Sequence, residues 1–244
     1  MNSELRGNNI RFETTNWSVV LAAGAGSTPE ARLALEQLCQ TYWYPLYAFV
    51  RRRGKSESDA RDSVQSFILL LLDRNDFATA DPGRGKFRTF LLSALNNFLA
   101  NEFDYQNAVK RGGRQTILAI DWNDAEARYQ VEPATQDPPE KLFHRQWAMS
   151  ILNTVLQTLK TEYESAGNSE LYAALARYLI GDHPKMSHDA IAEQLNTTAS
   201  SVKSSIHRMR KRFREVLRWQ VAATVTSEDE VNDEIRDLFQ ALGR

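Results

Sequence analysis

The 244-residue chain has one cysteine, Cys39, so it can form neither an intrachain disulfide nor a cysteine-ligated zinc site. Cys39 lies in the pattern Leu35, Leu38, Cys39, Tyr42 and reads as a core thiol. The histidines are few: His144, His183, His188 and His207 show no HExxH spacing. His183 and His188, beside Asp182 and Asp189, read as a surface turn rather than a metal site. No purely apolar run exceeds Phe67–Leu72, well short of the ~20 residues that span a bilayer. The opening MNSELRGNNIRF lacks the apolar stretch of a signal peptide, so a cytoplasmic chain with no membrane partner is expected. A phosphate loop is missing too. GRGK at Gly83–Lys86 has neither the spacing, the following Ser/Thr nor the preceding strand, and Gly24-Ala25-Gly26 is too little for a dinucleotide fold. With no clustered catalytic carboxylates either, the expectation is a protein that is not an enzyme and carries no cofactor or metal.

Net charge is −1, which argues against a non-specific nucleic-acid binder acting alone, since such domains usually carry a basic excess. The cations are instead segregated at Arg51–Lys55, Arg84–Arg88, Lys110–Arg114 and Lys203–Arg218, while the C-terminal stretch is acidic. Strand-like alternation is scarce, with Gln115–Ile120 the one weak candidate. Helical periodicity covers Trp17–Ala23, Glu30–Arg53, Ser58–Asp73, Phe87–Val109, Phe143–Glu164, Ser169–Ile180, Ser187–Leu195, Thr198–Val225 and Glu228–Leu242. Between about Gly112 and Glu140 the composition turns polar and gains Pro133, Pro138 and Pro139, as in a linker partly ordered around Trp122 and Tyr129. An all-α fold is therefore expected, with two helical domains, a linker and a C-terminal helical extension.

Ser187 to Trp219 is the most informative stretch. Val202, Ile206, Met209, Phe213 and Val216 share one stripe of a helix, and Ser200, Lys203, Ser204, His207, Arg208 and Lys211 share the opposite one. Ser187 can cap a preceding short helix with Ala190, Ile191 and Leu195 inward. Asn196 suits a left-handed helix end, and Thr198 can cap the second helix. A helix-turn-helix entering a DNA groove has this form, although a two-helix hairpin with a solvated basic face shares it.

At the other end, YWYPLYAFVRRRGKSESDARDSVQSFILLLLDR followed by DPGRGKFRTFLLSALNNFLANEF resembles the second conserved region of bacterial RNA polymerase sigma factors. Together with the helix-turn-helix, the chain is similar to the two-domain extracytoplasmic-function (ECF) branch of the sigma-70 family, and FETTNWSVVLAA, RGGRQT and DWNDAEARY look like a subgroup with an extended chain. The resemblance implies an N-terminal extension over residues 1–29, region 2 over 30–114, a linker over 115–142, region 4 over 143–225 and an acidic C-terminal helix over 226–244.

Each motif would then have a role. Asp59, Asp62, Gln65, Ser66 and Leu70 would grip the clamp helices of core RNA polymerase, although an acidic helix start is also favoured by the macrodipole alone. The usual D-A-E-D-L-x-Q-E pattern is altered: Arg61, Ser63 and Ser66 replace acid, leucine and acid. Phosphorylation of Ser63 or Ser66 by a Ser/Thr kinase would restore charge there. Phe77, Asp81, Arg84 and Lys86 would take a flipped base of the promoter's −10 element, and Arg88, Thr89, Ser93, Asn96 and Asn97 would line the melting helix. Ser200, Lys203, Ser204, His207, Arg208 and Lys211 would read the −35 element, with Arg212, Arg214 and Arg218 serving phosphates or the polymerase flap. Promoter DNA and core polymerase are the expected partners, an anti-sigma factor a further one. Two alternatives stand beside this: a stand-alone helix-turn-helix regulator and a degenerate sigma-like adaptor. Val231, Ile235, Leu238 and Leu242 make the last helix amphipathic, suited to packing on its own domain or to covering a basic surface of the N-terminal one.

Overall fold

The computed structural model describes residues 29–74, 86–101, 122–132, 137–179 and 186–243. The expected helix at Trp17–Ala23 and the weak strand at Gln115–Ile120 lie outside these residues. Every regular element among the described residues is helical. In chain order they are α1 (Pro29–Arg52), α2 (Glu57–Arg74), α3 (Phe87–Ala100), α4 (Trp122–Gln130), α5 (Pro139–Ser165), α6 (Ser169–Leu175), α7 (His188–Gln194), α8 (Ala199–Ala222) and α9 (Glu228–Ala241). A 3-10 turn at Ala176–Tyr178 follows α6. No described helix is long and apolar enough to cross a membrane.

Two compact units emerge, one of Met1–Ala148 with Val221–Arg244 and one of Met149–Gln220. The division falls within α5, and the C-terminal helix belongs to the first unit.

The first unit is built on a helical hairpin. Gly54, at φ 91°, lets the chain reverse after α1, since a residue without Cβ adopts this conformation at little cost. Ser56 then opens α2: its Oγ accepts the Asp59 N–H at 3.1 Å and donates to the Asp59 carboxylate at 2.7 Å. The inward stripes are Leu35, Leu38, Tyr42, Leu46 and Phe49 on α1 and Ala60, Val64, Phe67, Ile68 and Leu72 on α2. Leu72 is buried where sequence periodicity favours Leu71, which is half-buried. From α3 come Phe87, Leu91, Leu95 and Phe98, with Phe87 edge-on to Tyr42 at 5.0 Å and Phe98 5.6 Å from Phe67. Cys39 is fully inside, and burial pushes its thiol up to about 12, so it is chemically quiet.

The expected linker holds a helix. On α4, Trp122, Ala125, Glu126 and Tyr129 recur at i, i+3, i+4 and i+7 and face α1. Trp122 packs against Trp43 and Tyr47, each at 5.9 Å, and Arg128 lies 3.7 Å over the Tyr44 ring. Glu126 is the polar centre. Arg51 donates to both its oxygens at 3.1 and 2.8 Å, and the Tyr47 hydroxyl donates to it as well. Burial works against the charge of Glu126, but Arg51 and Tyr47 together hold its carboxyl below the usual carboxylate range. Replacing Glu126 by Ala leaves Arg51 and Tyr47 without this acceptor and is expected to cost about 1–3 kcal/mol, measured by urea unfolding. An unchanged midpoint would show that α4 is not anchored through this contact.

Candidate nucleic-acid interface

In the second unit, local chemistry produces two helices joined by a tight turn. Ser187 Oγ accepts the Ala190 N–H at 3.2 Å and starts α7. Asn196 takes φ 48°, the left-handed conformation, and the Thr197 N–H returns to the Ala192 carbonyl at 2.8 Å. Thr198 Oγ1 accepts the Ser201 N–H at 3.2 Å and starts α8. The core beneath joins Ala174, Leu175, Ile191, Ala192, Val202, Ile206 and Met209, so the apolar stripe of α8 faces inward as its spacing requires.

The other stripe of α8 faces solvent. Ser200, Lys203, Ser204, His207, Arg208 and Lys211 are all exposed. Arg208 donates to Ser205 Oγ at 2.9 Å, a neutral partner that leaves its charge uncompensated. The unit's ion pairs gather elsewhere, at Arg212 with Glu162 and Glu215 and at Lys160 with Glu164. Among the described residues, none of these pairs engages Lys203, Arg208 or Lys211. Arg212, expected to serve phosphates or a partner, is the exception, held by Glu162 at 2.7 Å.

The first unit treats its cations differently. Lys86 and Arg88 flank the start of α3, and both meet carboxylates of α9. Arg88 is 8% exposed; its Nε and Nη2 donate to the two oxygens of Glu234 at 2.7 and 2.9 Å. Its guanidinium also lies 4.6 Å over the Trp147 ring and bonds Asp237. Lys86 Nζ reaches Glu234 Oε2 at 2.9 Å and Asp237 Oδ2 at 2.6 Å. Glu234 is 0% exposed, on the same stripe as Val231 and Leu238. The expectation that Arg88 flanks an exposed strip is thus corrected: a bidentate partner and an aromatic face draw it inside. The strip itself remains, with Thr89, Ser93 and Asn97 exposed; Asn96 is half-buried, its Oδ1 accepting from Arg53 at 2.6 Å. Phe77 and Arg84, together with Asp81, lie outside the described residues.

On α2, Asp59 and Asp62 are exposed, while Gln65, Ser66 and Leu70 are half-buried. Asp59 is partly occupied in capping its own helix, and Asp62 lies 3.8 Å from Arg61. Ser63 is corrected from the exposed face to the interior: it is 1% exposed, and Lys55 Nζ donates to its Oγ at 2.9 Å. Lys55 reaches over from the α1–α2 turn and closes that side, so a kinase cannot reach this hydroxyl in the described conformation.

Glu234, Asp237 and Glu126 are the residues sequence reasoning missed. Glu234 leaves one trace, a carboxylate in the apolar register of an amphipathic helix. Neither α8 nor the α3–α9 cluster contains a set of three His, Cys, Asp or Glu residues placed to hold a metal, and none occurs among the described residues. Comparison with family models, curated proteins and solved structures finds no match to this chain.

Two measurements test the cluster. Truncating Glu234 to Ala leaves a buried guanidinium without its main partner and is expected to cost about 3–5 kcal/mol in urea unfolding. Asp237→Ala, at the solvent rim, is expected to cost under about 1 kcal/mol, and equal losses would contradict the division into anchor and rim. His144 gives a pH dependence. Its Nδ1 lies 3.1 Å from Arg88 Nη1, and burial, reinforced by that guanidinium, pushes the imidazole from its ordinary 6.5 down to about 4. The unfolded chain takes up this proton first, so the stability is fully present above pH 6.5 and is lost as pH falls toward about 4. A falling melting temperature across that window is expected, and His144→Gln should flatten it; an unchanged slope would rule His144 out as the source.

Proposed function

We propose that the chain is an initiation subunit of the sigma type, without catalysis of its own, that joins core RNA polymerase and directs it to promoters. One observation carries this reading: the α7–α8 pair, capped and turned as a helix-turn-helix, presents Ser200, Lys203, Ser204, His207, Arg208 and Lys211 to solvent with their charge uncompensated. A recognition helix needs free donors on one face, for phosphates that position it and for base edges that specify. The first unit supports the reading through the neutral strip Thr89, Ser93 and Asn97, whose hydroxyls and amide suit unstacked bases. Asp59 and Asp62 are exposed, and their charge would suit basic groups of a polymerase clamp.

A second reading is a helix-turn-helix regulator or adaptor that never engages polymerase. What favours it is the neutralised pair Lys86 and Arg88, together with the buried Ser63. Co-purification with bacterial core polymerase separates the two. On the first reading the complex forms and supports run-off transcription from selected promoters; absence of association, with or without kinase treatment, overturns it. Lys203→Ala with Arg208→Ala is expected to lower promoter-directed transcription at least tenfold, the loss of about 1–3 kcal/mol per specific contact, while polymerase binding stays intact. Undiminished transcription would remove α8 as the reading helix.

A further inference from the structure

The two basic faces of this chain are in opposite states. Lys203 and Lys211 on α8 are exposed and form no ion pair among the described residues, whereas Lys86 and Arg88 at the start of α3 are balanced by Glu234 and Asp237, two cations against two carboxylates. Those carboxylates are not equivalent. Glu234 is 0% exposed and grips Arg88 through both oxygens, so its removal leaves a charge inside the protein. Asp237 lies one turn further along α9, its side chain 35% exposed, and Lys86 beside it is 22% exposed. An anion arriving from solvent therefore meets Lys86 and the edge of Arg88 where Asp237 now sits, without α9 having to leave. The exposed strip of Thr89, Ser93 and Asn97 begins at the same end of α3.

We infer that Asp237 is an internal stand-in for a nucleic-acid phosphate, holding Lys86 and the outer edge of Arg88 until a backbone phosphate displaces it. This rests on the reading that the start of α3 meets nucleic acid. The exchange conserves charge, one anion for another, and proceeds at the rim while Glu234 keeps the helix docked. Binding at this face is then weakened by an internal competitor, while α8 carries no such handicap.

The test uses the full chain and a fluorescein-labelled single-stranded DNA oligonucleotide, followed by anisotropy over a series of salt concentrations. Asp237→Asn is expected to tighten binding roughly twofold to fivefold, the range of one partly exposed ion pair. The dependence of log K on log salt should steepen by about 0.7, one further phosphate contact on a single strand. Asp233→Asn makes the same charge change on α9 at an exposed site paired with Arg236 at 3.0 Å, and is expected to give no such gain. Adding Lys86→Ala to Asp237→Asn should abolish the gain, and Asp237→Ser should reproduce it. If D237N and D233N behave alike, including the case in which neither binds, the inference is overturned, as it is if the gain survives without Lys86. If D237N gains nothing yet Lys86→Ala alone weakens binding, Asp237 is no competitor and the nucleic-acid face stands. If neither change has any effect, the start of α3 is not that face and the underlying reading fails with it.

Discussion

The first unit depends on one buried ion pair. Arg88, beside Phe87 at the start of α3, is buried, so its guanidinium lies where water is largely excluded. An isolated charge there would be prohibitive; a bidentate carboxylate and an aromatic face make it tolerable. Glu234 supplies the first and Trp147 the second. The same contact helps fix α9, since Val231 and Leu238 bury on either side of Glu234, whose carboxylate meets Arg88. The Phe87 N–H, donating to the Thr224 carbonyl at 3.1 Å, ties the same two segments together through the backbone.

The α1–α4 contact has the same character. Glu126 lies among Trp122, Tyr47 and Tyr129 and is satisfied by Arg51, so a carboxylate again sets register inside an otherwise aromatic surface. Apolar packing tolerates small slides of one helix past another; a buried acid with fixed donors does not. The α1–α4 and α3–α9 contacts, each joining distant parts of the sequence, are both marked in this way.

Much of this was legible in the sequence. The α7–α8 pair and its turn could be read because their signals are local: Ser187 and Thr198 as caps, Asn196 as the left-handed stop, and Val202 to Val216 repeating at helical period. The buried residues of α2 and α3 repeat at the same helical period. The sequence did not disclose which cations would be free, since a charged residue on an amphipathic helix is by default solvated and nothing nearby marks its exception. Glu234 and Arg88 are 146 positions apart. Ser63 misled for a similar reason: a serine among Asp62 and Ser66 reads as surface, and only the fold shows Lys55 closing over it.

The first unit is assembled from the two ends of the described sequence, with the second unit inserted between them. During synthesis, α3 therefore leaves the ribosome long before α9 exists, and Arg88 spends that interval without its carboxylate. The second unit, contiguous in the chain and rich in local contacts, has no such wait and is free to form while the rest is still being made. Completion of the first unit thus waits for the last helix made, although most of that unit is translated first.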